Sequence, residues 1–534
     1  MKNILFHCSY STYFLQIQML SLLLRKVKSV VILSLLLVIN ISLLSQESNK
    51  TTEWINDLDY LKDQIYKTLP QAEERINEND FNLQLAKLKS KAFSLSKEEM
   101  AVEIMSLLAL TKDNDCFVYP FQEALNTQIL PLKTYFFSDG LYVCDAAEPY
   151  ADLIGEKIEQ IGNYKIDNLF KRLQAVMPAD NVHYQRYQFS LYSQLPNFLK
   201  WAGAIDNQKE VSIVTSSGAT NTVSFGDLSS YLKLERTLAS QVGLTSSQSI
   251  HEKENYWMEF LEDGKCLFVQ LKAIANNKEG NSFSDFVKEI EILISSGKVE
   301  KVIIDNRYGG GGNGFMLSDL TDLLHESKAI NQSGKLFVLT SRSTKGALLE
   351  LSAILQLNTK AILVGEASGE GPNTVGDRIA VTLPSSEIEV NLTKVFWPTS
   401  FRFDQRKTIQ PDLKVNYTHE DYLYKHDSWL EAIQEYKLAS NKKPTPNFSL
   451  QNELVGKYKV EGYKLSIYRE DGKLYAVVKK KMRSFFELHT ELYQAMEGSL
   501  SSDIPQLSFL YEEKDEESSL TKLKWLGKAY EMKE

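Results

Sequence analysis

Between residues 267 and 364, apolar runs of strand length alternate with amphipathic runs of helix length. Residues 267–271, 299–305, 336–340 and 361–364 read as strands. Residues 283–294, 315–324 and 347–357 read as helices, and Met316, Leu317, Leu320, Leu323 and Leu324 fall on one face of the second. Alternation of this kind leads to an α/β fold, a parallel or mixed sheet with right-handed crossovers.

The flanks read differently. Trp54, Leu58, Leu61, Ile65 and Leu69 recur at spacings of three and four, and 100–110 continues in that style, so 52–125 is expected as an N-terminal helical segment. From 130 to 240 short strands surround one helix. Asp139-Gly140, between two aromatic-rich runs, is a hairpin signal. That order suggests a small binding module. Lys442-Lys443-Pro444-Thr445-Pro446 reads as a linker. Beyond it, over 450–534, short runs rich in Tyr, Val and Phe are broken by Asp471-Gly472, as in a small β domain.

The first 45 residues read as a leader. Arg25, Lys26 and Lys28 precede the apolar run 29–44, with small residues at Ser42 and Ser45. This is the pattern of a secretory signal peptide. An uncleaved anchor is the alternative, but the run falls short of the roughly 20 residues a spanning helix needs. Export to a periplasmic or extracellular space is therefore expected. The net charge of −9 argues against nucleic acid as a partner. Of four cysteines, Cys8 lies in the leader, leaving Cys116, Cys144 and Cys266. An odd number gives no disulfide framework, and the spacing fits no zinc site. No cofactor and no metal are expected.

The run Asp305-Asn306-Arg307-Tyr308-Gly309-Gly310-Gly311-Gly312-Asn313-Gly314 follows a strand and precedes a helix. Glycines there permit positive φ and leave backbone N–H groups free to face an anion. Gly309, Gly311 and Gly314 satisfy a dinucleotide spacing, but the next strand ends in Thr340-Ser341-Arg342 rather than an acidic residue. A phosphate loop fails as well, because no Gly-Lys-Ser/Thr follows. A tight structural turn and an oxyanion hole remain.

At this point a family resemblance emerges. Asn255-Tyr256-Trp257, the strand at Leu267, the segment from Asp305 to Asn313, Thr340-Ser341-Arg342-Ser343-Thr344, Val364-Gly365-Glu366, Gly371-Pro372-Asn373, Leu383-Pro384 and Pro411-Asp412 occur in order. Together they resemble the tail-specific (C-terminal processing, tricorn-like) serine peptidases over residues 250–435. The resemblance implies a crotonase-like α/β peptidase core over 250–438. It also implies a PDZ-like module over 130–240, where Gly155, Ile158 and Ile161 fit loosely.

The family's chemistry needs an activated serine, a base and an oxyanion hole. Motif matching places the serine at Gly346. The histidine of the tricorn-like branch matches Asp115, and the lysine of the other branch matches Glu370. The N–H groups of Gly310 or Gly311 and of Ala347 would line the oxyanion hole. Ser343 reads as a helix N-cap, Ser352 falls inside the helix, and Cys116 is either a displaced nucleophile or a small buried hydrophobe. His251, His325, His419 and His426 have no assigned role, although His325 falls late in a helix. The expected function is an exported peptidase-family protein that binds peptide or unstructured polypeptide and is impaired in catalysis. The alternatives are an active serine-type endopeptidase with displaced catalytic residues, and a structural or carbohydrate-associated surface protein using its C-terminal β domain. The sequence carries no reading of oligomeric state.

Overall fold

The computed structural model describes residues 28, 50–234, 254–261, 264–437, 454–480, 487–496, 498–502, 504, 507–514 and 517–533. The leader apart from Lys28, His251 and the 442–446 linker lie outside the described residues. The central sheet has six strands in the order Leu413–Lys414, Ile362–Gly365, Leu336–Thr340, Lys301–Asp305, Cys266–Leu271 and Tyr256–Leu261. The first five run parallel and the last is antiparallel. Side chains alternate between its two faces. Leu267, Val269, Val302, Ile304, Leu336 and Val338 join one core with the crossover helices. Phe268, Ile303, Phe337 and Leu339 join another with Tyr417 and Trp429. Both faces are covered, which is why these strands read as almost unbroken apolar runs.

The crossover helices are Phe283–Ser295, Ser318–Glu326 and Gly346–Asn358. Two differ from expectation at their starts. Residues Gly314–Met316 form a 3₁₀ turn capped by the Asn313 side chain, so the second helix begins only at Ser318 and Phe315 stays exposed. Ser343 is not the cap of the third helix. Lys345 occupies the N-cap position, and the Ser343 hydroxyl donates instead to the Arg307 carbonyl at 2.7 Å.

The expected stripe Trp54, Leu58, Leu61, Ile65 and Leu69 is buried, and packs with the helices Glu78–Lys91 and Lys97–Leu108. The same core takes in the next sheet, whose order is Leu132–Phe137, Gly140–Ala146, Lys157–Ile161, Glu210–Thr215 and Thr220–Ser224. A three-stranded sheet places Asn373–Thr382 at an edge beside Glu389–Pro398. The C-terminal strands form an eight-stranded antiparallel meander from Gly456–Val460 to Lys528–Glu531. Lys459 and Lys533 exchange backbone hydrogen bonds, an isolated antiparallel bridge that links the first strand of the meander to the residues just after its last. Among the described residues no helix is long and apolar enough to cross a membrane.

Candidate functional site

The strand Lys301–Asp305 ends at the carboxyl edge of the parallel sheet, where such sheets open a crevice. The chain there is pinned by charge. Arg307 donates to both Asp305 oxygens at 2.9 Å and to both Asp427 oxygens at 3.0 and 2.9 Å. All three side chains are buried.

The glycines that follow serve close packing. Gly311 and Gly312 pair in parallel with Ala273 and Ile274. A Cβ at Gly309 would lie 2.0 Å from the Lys272 carbonyl oxygen, and one at Gly312 would lie 2.3 Å from that of Ile274. No side chain fits at either position. Hydroxyls complete the loop. Ser341 and Ser343 both donate to the Arg307 carbonyl, and Thr344 donates to that of Asn306. These hydroxyls hold the loop and are already engaged.

Helix Gly346–Asn358 starts directly over the glycine run. Gly346 has φ 57°, and a Cβ there would lie 2.7 Å from the Gly310 carbonyl oxygen. That carbonyl therefore faces position 346. In a trans peptide the N–H of the next residue points the opposite way, so the Gly311 N–H is turned from 346. On this side position 346 meets an acceptor, the Gly310 carbonyl, rather than the Gly311 N–H. A serine at 346 would need a left-handed backbone, which costs an L residue about 1–2 kcal/mol, and would press on that oxygen. Gly346→Ser should lower the unfolding free energy by at least that amount in urea titration.

Asp115, Gly310, Gly311, Gly346 and Ala347 line one cleft of about 530 Å³, together with Glu370. Asp115 accepts from Lys345 Nζ at 2.6 Å, and Arg378 lies 3.9 Å away. Glu370 is 2% exposed and accepts from the Gly346 N–H at 2.9 Å and from Asn114 Nδ2 at 3.2 Å. Burial, aided by Asp115 and Asp180 and opposed by Lys345 and the Gly346 N–H, pushes its pKa up to about 8. Burial works against the charged form of Lys345, yet Tyr184, Asp115 and Glu370 hold its pKa above the usual lysine range. The ion pair with Asp115 favours charged Lys345, whereas Glu370 can hold a proton at neutral pH.

Sequence reasoning passed over Lys345, although it directly precedes Gly346. The other sequence candidates lie elsewhere or are engaged. Ser352 is fully buried and donates to the Leu348 carbonyl. Cys116 is buried and donates to Asp113, and burial pushes its thiol well up. All three described cysteines are free and buried. His325 contacts the Asn358 carbonyl, His419 stacks on Tyr142, and His426 pairs with Asp421. No histidine is among the described residues lining the cleft. Among the described residues no group of three or more His, Cys, Asp or Glu side chains is placed to hold a metal ion.

No family model and no curated protein matches the chain. Solved structures do. Mature CPAF complexed with lactacystin matches with a TM-score of 0.51 at 12% identity, over 72% of this chain and 97% of that one. The fold is similar to that of CPAF. A second structure of mature CPAF gives a TM-score of 0.50 at 13% identity, over 72% of this chain and 96% of that one. The photosystem II D1 C-terminal processing protease matches with a TM-score of 0.32 at 14% identity, over 69% of this chain and 93% of that one. The likeness to CPAF is one of fold, and it accords with the tail-specific peptidase resemblance carried by the sequence motifs.

Proposed function

We propose that this chain is a member of the tail-specific serine peptidase family that binds unstructured polypeptide in the cleft beside Gly310, Gly346 and Glu370 without cleaving it. One observation carries the reading. The position that matches the nucleophile is a glycine, its backbone is left-handed, and the Gly310 carbonyl faces it. A developing oxyanion would meet an acceptor there instead of a donor. The same carbonyl, and the edge strand Asn373–Thr382 whose residues 374–378 line the cleft, offer backbone groups to an extended chain. The reading includes a crotonase-like core over 250–438, a PDZ-like module over 130–240, and action outside the cytoplasm after export through the leader.

The test incubates the purified protein with a fluorescently quenched unstructured polypeptide and with a fluorophosphonate serine probe. Binding without cleavage and without labelling is expected, with affinity lowered at least several-fold by Arg378→Glu at the cleft wall. Cleavage, or labelling at any serine, would replace this reading with that of an active endopeptidase.

A further inference from the structure

The turn Gly314–Met316 stands at a junction. Gly314, Phe315 and Glu350 line both the cleft beside Gly346 and a further cavity of about 530 Å³, which reaches His489 on the C-terminal strand Glu487–Met496. Glu350 lies on the helix Gly346–Asn358 and is half-buried. Its carboxylate is packed against the turn, so that a Cβ at Gly314 would lie 2.1 Å from its Oε2. Among the described residues this carboxylate has no hydrogen-bond donor and no cation beside it. Burial raises its pKa, and no neighbouring charge lowers it.

The nearby cations are committed elsewhere. Lys345 donates to Asp115. Arg378 lies 3.9 Å from Asp115 and lines a different neighbouring cavity as well. Among the described residues lining the further cavity there is no Lys or Arg, whereas Asp322 and Glu326 are present. The walls at the junction are aromatic. Phe315 is 57% exposed, yet its backbone is fixed by donation from its N–H to Asn313 Oδ1 at 3.1 Å. Its ring meets that of Trp397 edge to face, with centroids 5.5 Å apart. Trp397 lines the cleft from the strand Glu389–Pro398. Partial burial of a carboxylate without a donor is unfavourable. A cation that brings donors and a flat face removes that cost. A guanidinium has both, because it is planar, weakly hydrated, bidentate toward carboxylate and able to stack on aromatic rings.

We infer that Glu350 receives a guanidinium group between the cleft and the further cavity, with the flat face of the cation against Phe315 and Trp397. Two sources share that chemistry: an arginine side chain of a bound polypeptide, and a free alkylguanidine. The first source rests on the polypeptide-binding reading of the cleft, and the second does not, so small probes separate them.

The full chain is titrated by calorimetry with butylguanidinium and with the neutral butylurea. An unstructured peptide containing one arginine is then compared with the same peptide carrying citrulline, which keeps the shape and loses the charge. The guanidinium member of each pair should bind about tenfold tighter, the scale of one charged hydrogen bond. Glu350→Gln should remove that preference. Phe315→Leu, at an exposed position, should weaken the guanidinium ligands a few-fold. Preference for the arginine peptide assigns the subsite to polypeptide side chains. Preference for butylguanidinium with no binding of either peptide assigns it to free guanidines and overturns the polypeptide reading alone. Absence of a charge preference in both pairs would overturn the inference. So would a preference that persists in folded Glu350→Gln, or one indifferent to both substitutions.

Discussion

Replacing Arg307 by methionine should lower the unfolding free energy of the central sheet unit by about 3–5 kcal/mol, the usual cost of removing one partner from a buried ion group. Two carboxylates, Asp305 and Asp427, share this guanidinium through four hydrogen bonds. Without it, both would face each other with no cation in a dry interior. Asp427→Ala should cost less, because Arg307 keeps Asp305. It also loses the side-chain cap that accepts from Trp429 N and Leu430 N, typically about 1 kcal/mol. Trp429 lies 4.8 Å from the Arg307 guanidinium, so its fluorescence in urea reports this region. A triple replacement with apolar residues at 305, 307 and 427 should recover much of the loss. If Arg307→Met costs under about 1 kcal/mol, well short of the buried-pair range, the glycine loop does not depend on this anchor.

The same anchor shows where the sequence was legible. Strands buried on both faces announce themselves as short apolar runs, and the four parallel strands from Cys266 to Gly365 were readable for that reason. Asp305 and Arg307 were visible only as charged residues between a strand end and its glycines. Their reason lies 120 positions away in Asp427, and no local pattern encodes that partner. The site behaves likewise. Motif order brought Asp115, Gly310, Gly311, Gly346 and Ala347 forward, and the fold gathers them in one cleft. Which way a peptide plane turns is a matter of backbone dihedrals, so the Gly310 carbonyl facing 346 could not be read. Ser343 failed as a cap for a related reason. Its hydroxyl had a long-range alternative in the Arg307 carbonyl, which local propensity does not see.

Between pH 5 and pH 8, Glu370→Gln should gain stability over the parent, by about 2 kcal/mol or more at the upper end. Glu370 has its pKa raised to about 8 in the fold, chiefly by burial, while an unfolded glutamate titrates near about 4.3. The folded state therefore holds a proton that the unfolded chain has already lost. Stability is fully present below about pH 4 and falls as pH rises through the folded value. Each pH step of one between those two values costs about 1.4 kcal/mol, so the window from 5 to 8 carries most of the effect. Asp180, raised to about 7 by burial, slopes the same way, and His183 and His419, lowered by burial, slope the opposite way. Comparing parent and variant at each pH cancels these and leaves Glu370. Glutamine retains an oxygen for the Gly346 N–H, so the variant keeps the helix start. Lys345→Met should extend the parent's decline to pH values above 8, since that lysine is the main charge favouring ionised Glu370. Urea midpoints at half-unit pH steps measure all three proteins. A parent-to-variant difference that stays flat from pH 5 to pH 8 would mean that Glu370 is ionised in the fold, and the cleft beside Gly346 would then carry a fixed negative charge.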